Sequence, residues 1–226
     1  MRIKKKQLQI ILEILLGIPK TIFINFKYLP LKQAIYFPII VSRYCNLLEC
    51  SGEIKICGEV KTGMILLGIG NVGIFDKRKS RSILELSEKA LIIFRGKARF
   101  GNGFKLSVSG EIEFGENFTV TAESSILCHK NIKFGDNVLI SWQNMIMDSD
   151  IHSIYRGGRK SNKTLPILFG NNIWVGCQCI ILKGTIIKDN TVIAAGSLLR
   201  KKIDEENVLI AGQDGKIVDR NINWTR

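Results

Sequence analysis

A chain of 226 residues is long enough for one sizeable core, or for a solenoid with an appendage. Its 33 Lys and Arg stand against 20 Asp and Glu, and the net charge of +13 points to anionic partners such as a membrane surface or a phosphate-bearing small molecule. The basic residues are scattered, with no aromatic-interleaved patch and no known motif, which excludes nucleic acid as the partner.

Residues 1–50 read as an N-terminal helical and irregular lead-in. Leu8, Ile11, Leu12, Leu15 and Leu16 share one helical face, which predicts a helix packed by that face against the end of the main domain. The same face suits peripheral contact with an anionic membrane, because Arg2, Lys4, Lys5, Lys6 and Lys20 accompany it. The apolar run is shorter than the roughly 20 residues that cross a bilayer. Glu13 interrupts it, and no small-residue cleavage site follows, so it is not read as a signal peptide. From Thr21 to Val41 the sequence predicts irregular chain.

Residues 51–203 carry a rhythm of six. It is imperfect over 51–93, where Gly63, Gly68, Gly70 and Gly73 supply corners and Asp76–Ser82 forms a charged loop. It then becomes regular: Phe94, Phe100, Leu106 and Ile112 are six apart. After shifts of two it resumes as Phe114, Val120, Ile126 and Ile132, then as Phe134, Ile140 and Ile146. Phe169, Val175, Ile181, Ile187 and Ile193 continue it, with small residues or Gly at the second and fifth places. A helix repeats at 3.6 residues and a lone strand at 2, so six belongs to neither alone. A short strand plus a corner, three to a triangular turn, fits it, with turns stacked about 4.8 Å apart. The sequence therefore predicts an all-β parallel β-helix of hexapeptide repeats, ending in a short C-terminal tail over 204–226.

Over 147–168 no frame of six fits, which predicts a flexible basic loop projecting from a rigid scaffold, where sites are usually built. His152 opens it, behind Asp148 and Asp150. An imidazole near its ordinary pKa can take a proton from a hydroxyl, and the aspartates could orient it, bind an acceptor or shape the turn. His129, the other histidine, falls at an outward place in a regular coil and is read as a surface residue. Cys177-Gln-Cys179 lacks the second pair of a zinc site, Asp148-Ser-Asp150 lacks a third ligand, and no metal is expected. The six cysteines show no framework spacing and are read as reduced thiols of a cytoplasmic protein.

The hexads, together with Asp148-Ser-Asp-Ile-His-Ser153, Asn172-Ile-Trp-Val-Gly176 and Ile193-Ala-Ala-Gly-Ser197, resemble the hexapeptide-repeat acyltransferases. Within that group the chain is most similar to bacterial O-acetyltransferases of capsule or lipopolysaccharide sugars. The resemblance implies a left-handed winding, a homotrimer, acetyl-coenzyme A as acyl donor between adjacent subunits, and a sugar or glycan acceptor. It implies His152 as general base and Trp174 beside the cleft, with Asp148 and Asp150 as further candidates for acceptor binding. Cys177, Ala195, Arg200 and Lys201 match places that line the coenzyme groove. One departure stands out: Gly212-Gln-Asp-Gly-Lys216 occupies the segment that usually reads Gly-x-Pro-Ala-Lys. The rival readings are a nucleotide-sugar N-acetyltransferase and a non-catalytic β-helix scaffold at a membrane surface.

Overall fold

The computed structural model describes residues 5–70 and 72–225. Arg2 and Lys4, and the side chains of Lys5 and Lys6, lie outside the described residues. Helix α1 (Lys5–Tyr28) and a single turn, α2 (Leu31–Ala34), lead into strands β1 (Ile39–Val41), β2 (Cys45–Cys50) and β3 (Glu53–Ile56). From there every third strand of the coils returns to the same sheet. The result is three faces of nine, seven and six strands, begun by β1, β2 and β3 respectively, which is the prism of a left-handed parallel β-helix.

The hexads mark the inward positions. Phe94 pairs in register with Phe114, Phe114 with Phe134, Phe134 with Phe169 and Phe169 with Ile187, all on the third face. The Phe114 and Phe134 rings stack at 5.4 Å, and Phe134 and Phe169 at 4.7 Å, so the axis is filled by an aromatic ladder. Along this column Phe94, Phe114 and Phe134 are twenty residues apart, whereas Phe169 and Ile187 are eighteen. The shifts of two in the sequence are thus a longer corner in the early coils, and the late coils are three plain hexads. Asn117, Asn137, Asn172 and Asn190 turn corners with φ between 54° and 58°, where asparagine tolerates the left-handed region.

The coils begin at Ile39 rather than at 51, because β1 pairs with Ile65–Leu67 and β2 with Ser82–Leu86. Helix α1 also runs on to Tyr28, through chain expected to be irregular. At the other end Val208–Ala211 adds a strand beside Val192–Ile193, and Lys216–Arg220 covers it antiparallel, so the tail closes the last coil.

The helix covers the first coil as expected, but not by the expected face. Strand β1 is an edge, and its outer N–H and C=O groups need partners. Thr21 Oγ1 accepts from the Val41 N–H at 3.0 Å, and Asn25 Oδ1 from the Ile39 N–H at 3.2 Å; Asn25 Nδ2 donates to the Ile39 carbonyl at 2.7 Å. Gly17 permits the close approach, since a Cβ there would lie 2.0 Å from the Val41 oxygen. Glu13 is buried, accepts from Ser42 Oγ at 2.5 Å and pairs with Lys77 at 2.7 Å, which ties the charged loop to the helix. Polar side chains thus face inward, and Leu8, Ile11, Leu12, Leu15 and Leu16 face solvent.

Candidate active site

The loop expected over 147–168 leaves the corner between the second and third faces, after Met145–Met147 and before Ile167–Phe169. It is ordered by a small antiparallel hairpin, Tyr155–Arg156 against Arg159–Lys160, turned by Gly157 and Gly158 at φ 55° and 73°. At its base Asp148 is fully buried. One carboxylate oxygen accepts from the His129 N–H and the other from the Lys130 and Asn131 N–H groups, each at 2.8 Å. Asp148 therefore supports the corner, with both oxygens engaged by backbone inside the coil. The Cys128 thiol beside it is pushed up in pKa, chiefly by burial and then by the Asp148 charge.

Asp150 sits above, exposed enough to meet solvent, and forms an ion pair with Lys183 of the next coil. It also accepts from Asn162 Nδ2 at 2.7 Å. The Lys183 hydrogen bond, then that of Asn162, holds its carboxyl below the ordinary carboxylate range. Asn162 Nδ2 reaches the His152 carbonyl at 2.8 Å, and its Oδ1 accepts from the Ile154 N–H at 2.7 Å. Between Asp150 and His152 the chain makes a three-residue turn: the His152 N–H donates to the Asp150 carbonyl at 2.6 Å around Ile151 at φ 64°. A β-branched residue there is a strained choice. Lys183, Asp150 and Asn162 brace the turn that presents the exposed His152 ring.

Three successive coils bring one acid and the cations of the two coils above it to the same edge. Met147 pairs with Leu182, and Ile181 with Leu199, so Asp148, Lys183 and Lys201 succeed one another up one corner. Arg200 precedes Lys201, and both are exposed. Arg200 Nε donates to Asp214 at 2.7 Å, which keeps the Asp214 carboxyl below its ordinary range. The acid that departs from the expected Pro in the tail thus holds the cation expected to meet a phosphate. Cys177 and Ala195 lie at the corner between the first and second faces in consecutive coils, where the Gly196 N–H donates to the Cys177 carbonyl at 2.9 Å. Ala195 is exposed there, and Cys177 is half-buried.

Trp174 lies elsewhere. It belongs to the first face, paired with Leu139 and Val192, and the third face separates it from the His152 loop. Its indole N–H donates to Ser141 Oγ at 3.2 Å, and its ring lies 6.1 Å from that of Trp224, whose N–H donates to the Asn172 carbonyl at 2.9 Å. One chain therefore does not bring His152 and Trp174 together. His129 is exposed, with Nδ1 at 3.1 Å from Ser109 Oγ.

Lys183, Asn162, Ile151 and Trp224 went unread in the sequence as site residues. Lys183 holds an outward place in an unbroken hexad, which reads as solvated surface. Only its register with Asp148 reveals the contact.

No family model matches the chain. It is 35% identical over 119 residues to the galactoside O-acetyltransferase of Escherichia coli K12, covering 52% of this chain and 57% of that one. It is 27% identical over 149 residues to WbbJ of the same strain, named as an O-acetyl transferase of lipopolysaccharide biosynthesis, covering 58% and 76%. The chain thus spans little more than half of the galactoside enzyme it matches. Among solved structures, the polySia-specific acetyltransferase NeuO shares the fold at a TM-score of 0.51 with 21% identity, over 83% of this chain and 84% of that one. The repeat and the stacked coils give the chain the left-handed β-helix fold, and in sequence it is similar to the sugar O-acetyltransferases among the hexapeptide-repeat acyltransferases.

Proposed function

We propose that the protein is an acyltransferase that moves an acetyl group from acetyl-coenzyme A to a hydroxyl of a sugar or surface-polysaccharide precursor. The observation that carries this reading is the edge that a braced His152 and the cations Arg200 and Lys201 share, two coils apart. Acetyl-coenzyme A supplies an already activated thioester. His152 takes the proton of the acceptor hydroxyl as its oxygen adds to the acyl carbon, and returns it to the departing sulfur. Arg200 and Lys201 meet the coenzyme's phosphates as charge-assisted donors, while Cys177 and Ala195 stand at the other corner of the second face.

The separation of His152 from Trp174 supports a site shared between copies, His152 from one chain and Trp174 from its neighbour, in a homotrimer. All six cysteines are free, which supports a reducing, cytoplasmic setting.

The test is mass spectrometry of products after incubation with acetyl-coenzyme A and a panel of nucleotide sugars and glycans. The expected result is a mass gain of one acetyl on a hydroxyl-bearing acceptor, from a particle of three chains by light scattering. His152→Ala should lower turnover about 10²–10⁴-fold with coenzyme affinity unchanged, and His129→Ala should be silent. Acetylation of an amine alone would reassign the acceptor class, and no turnover in the parent on any acceptor would leave a scaffold.

A further inference from the structure

The outward face of α1 is apolar along its whole described length. Leu8, Leu12, Leu15, Ile22, Phe23 and Phe26 are each 45–57% exposed, while the polar Glu13, Thr21 and Asn25 are buried against the first coil. This reverses the usual arrangement of a surface helix. The patch continues over α2, where Leu31 is 68% exposed, with Ile35 and Tyr36 beside it. A face of this kind marks an interaction surface.

Charge decides the partner. From residue 8 to residue 48 the sole acidic residue is Glu13, turned inward onto Ser42 and Lys77, whereas Lys27, Lys32 and Arg43 are exposed. An apolar helical stripe bordered by lysines and free of exposed acid is complementary to an anionic lipid interface. A second copy on this face is a poorer match, because pairing the face with itself would bring Lys27 and Lys32 of one chain beside the same lysines of the other. Among the described residues no helix is long and apolar enough to cross a membrane, so this one lies on the surface.

The orientation follows from the hydrogen bonds. Thr21 and Asn25 bind the outer edge of β1, and that edge points along the stack of coils. The apolar face opposite them therefore looks away from the stack. We infer that α1 docks the solenoid end-on to an anionic membrane, burying its apolar face among the lipids with Lys27 and Lys32 at the headgroups.

The inference is independent of the acyl-transfer reading, and its test needs no turnover. The full-length protein is floated with vesicles of phosphatidylcholine alone or with anionic phosphatidylglycerol. Binding is expected to the anionic vesicles, weakening as salt rises. Lys27→Gln/Lys32→Gln should lower it roughly twenty- to thirtyfold, at about fivefold per lysine. Leu15→Glu/Ile22→Glu should abolish it with no loss of melting temperature, since both side chains already face solvent, and His152→Ala should bind as the parent does. Parent protein that fails to float with anionic vesicles overturns the inference. So does a Leu15→Glu/Ile22→Glu protein that floats like the parent while light scattering shows a smaller particle, because the face would then join copies of the chain.

Discussion

Replacing Asp148 by Asn separates a structural carboxylate from a substrate-binding one. The parent side chain accepts three backbone N–H groups, one on Oδ1 and two on Oδ2. An amide of the same size keeps one acceptor oxygen and turns an NH₂ group on the remaining donors. One or two N–H groups lose their partner, at about 1–3 kcal/mol each for a buried donor. The corner lies partly within reach of water, so a total of about 2–4 kcal/mol is expected. For a chain of this length about 1 kcal/mol shifts the melting temperature by 2–4 °C, giving a fall of about 5–15 °C. Thermal unfolding followed by circular dichroism measures it, and hydrogen exchange should quicken at the amides of His129, Lys130 and Asn131. Melting unchanged within 2 °C, with a raised KM for the acceptor, would refute the corner role and return Asp148 to the binding site.

Ile151→Gly relieves a positive φ worth about 1–2 kcal/mol and concedes about 0.5–1 kcal/mol of backbone entropy. Stability should therefore rise slightly, while turnover falls about tenfold or more because the turn no longer aims His152; equal turnover at equal stability would show that the turn does not matter. Lys183→Met tests the brace by pH. Lys183 depresses the pKa of Asp150, so the pair stabilises the fold above about pH 4 and stops doing so as pH falls through the lower folded value. The parent should melt above the variant at neutral pH and converge with it in strong acid, and a gap constant from pH 7 to pH 2 would count against the pair. Asp214→Asn should free Arg200 and raise coenzyme A affinity up to about fivefold at low salt, the scale of an exposed ion pair. Calorimetry showing equal or weaker binding would mean that Asp214 does not compete with phosphate.

The coils were legible because their inward residues repeat in register, and that register is what stacks Phe94, Phe114, Phe134 and Phe169. The hand of the winding was not, since the period is the same for either hand. The polarity of α1 was misread for a definite reason. An apolar helical stripe is expected to seek the core, but here the helix meets an unpaired strand edge, and the bonds of Thr21 and Asn25 to β1 set which side faces in. The first coil escaped notice because β2 carries a register shift between Leu47 and Cys50, which breaks the hexad. At the candidate site, the place of His152 in the loop where the rhythm fails was legible. The brace around it was not, because Asn162 and Lys183 are distant in sequence and meet through Asp150.

The switch from twenty-residue to eighteen-residue coils has a consequence at that edge. Past the loop each coil is three plain hexads, so a residue recurs at the same corner every eighteen positions. Lys183 and Lys201 are so related, through the pairing of Ile181 with Leu199. Below them the same corner holds Asp148, locked on backbone, from which the His152 loop springs. Along the edge the groups run from a carboxylate bonded to backbone at the loop's base, through an ammonium engaged by Asp150, to Lys201 and the Asp214-held Arg200 at the top. With coils about 4.8 Å apart, the two coil steps from the level of Asp148 to that of Lys201 rise about 10 Å. On the proposed reading, a phosphate held at the top would direct the rest of an extended donor down the edge toward His152, and the same cations would leave a donor without phosphate unaligned. Acetyl transfer from a truncated thioester lacking the nucleotide should accordingly lose most of its rate in the parent. It should lose little further in Arg200→Ala/Lys201→Ala, because the group those residues hold is absent. If the truncated donor still shows a large drop on that double substitution, the cations act on the chemistry itself and this alignment is wrong.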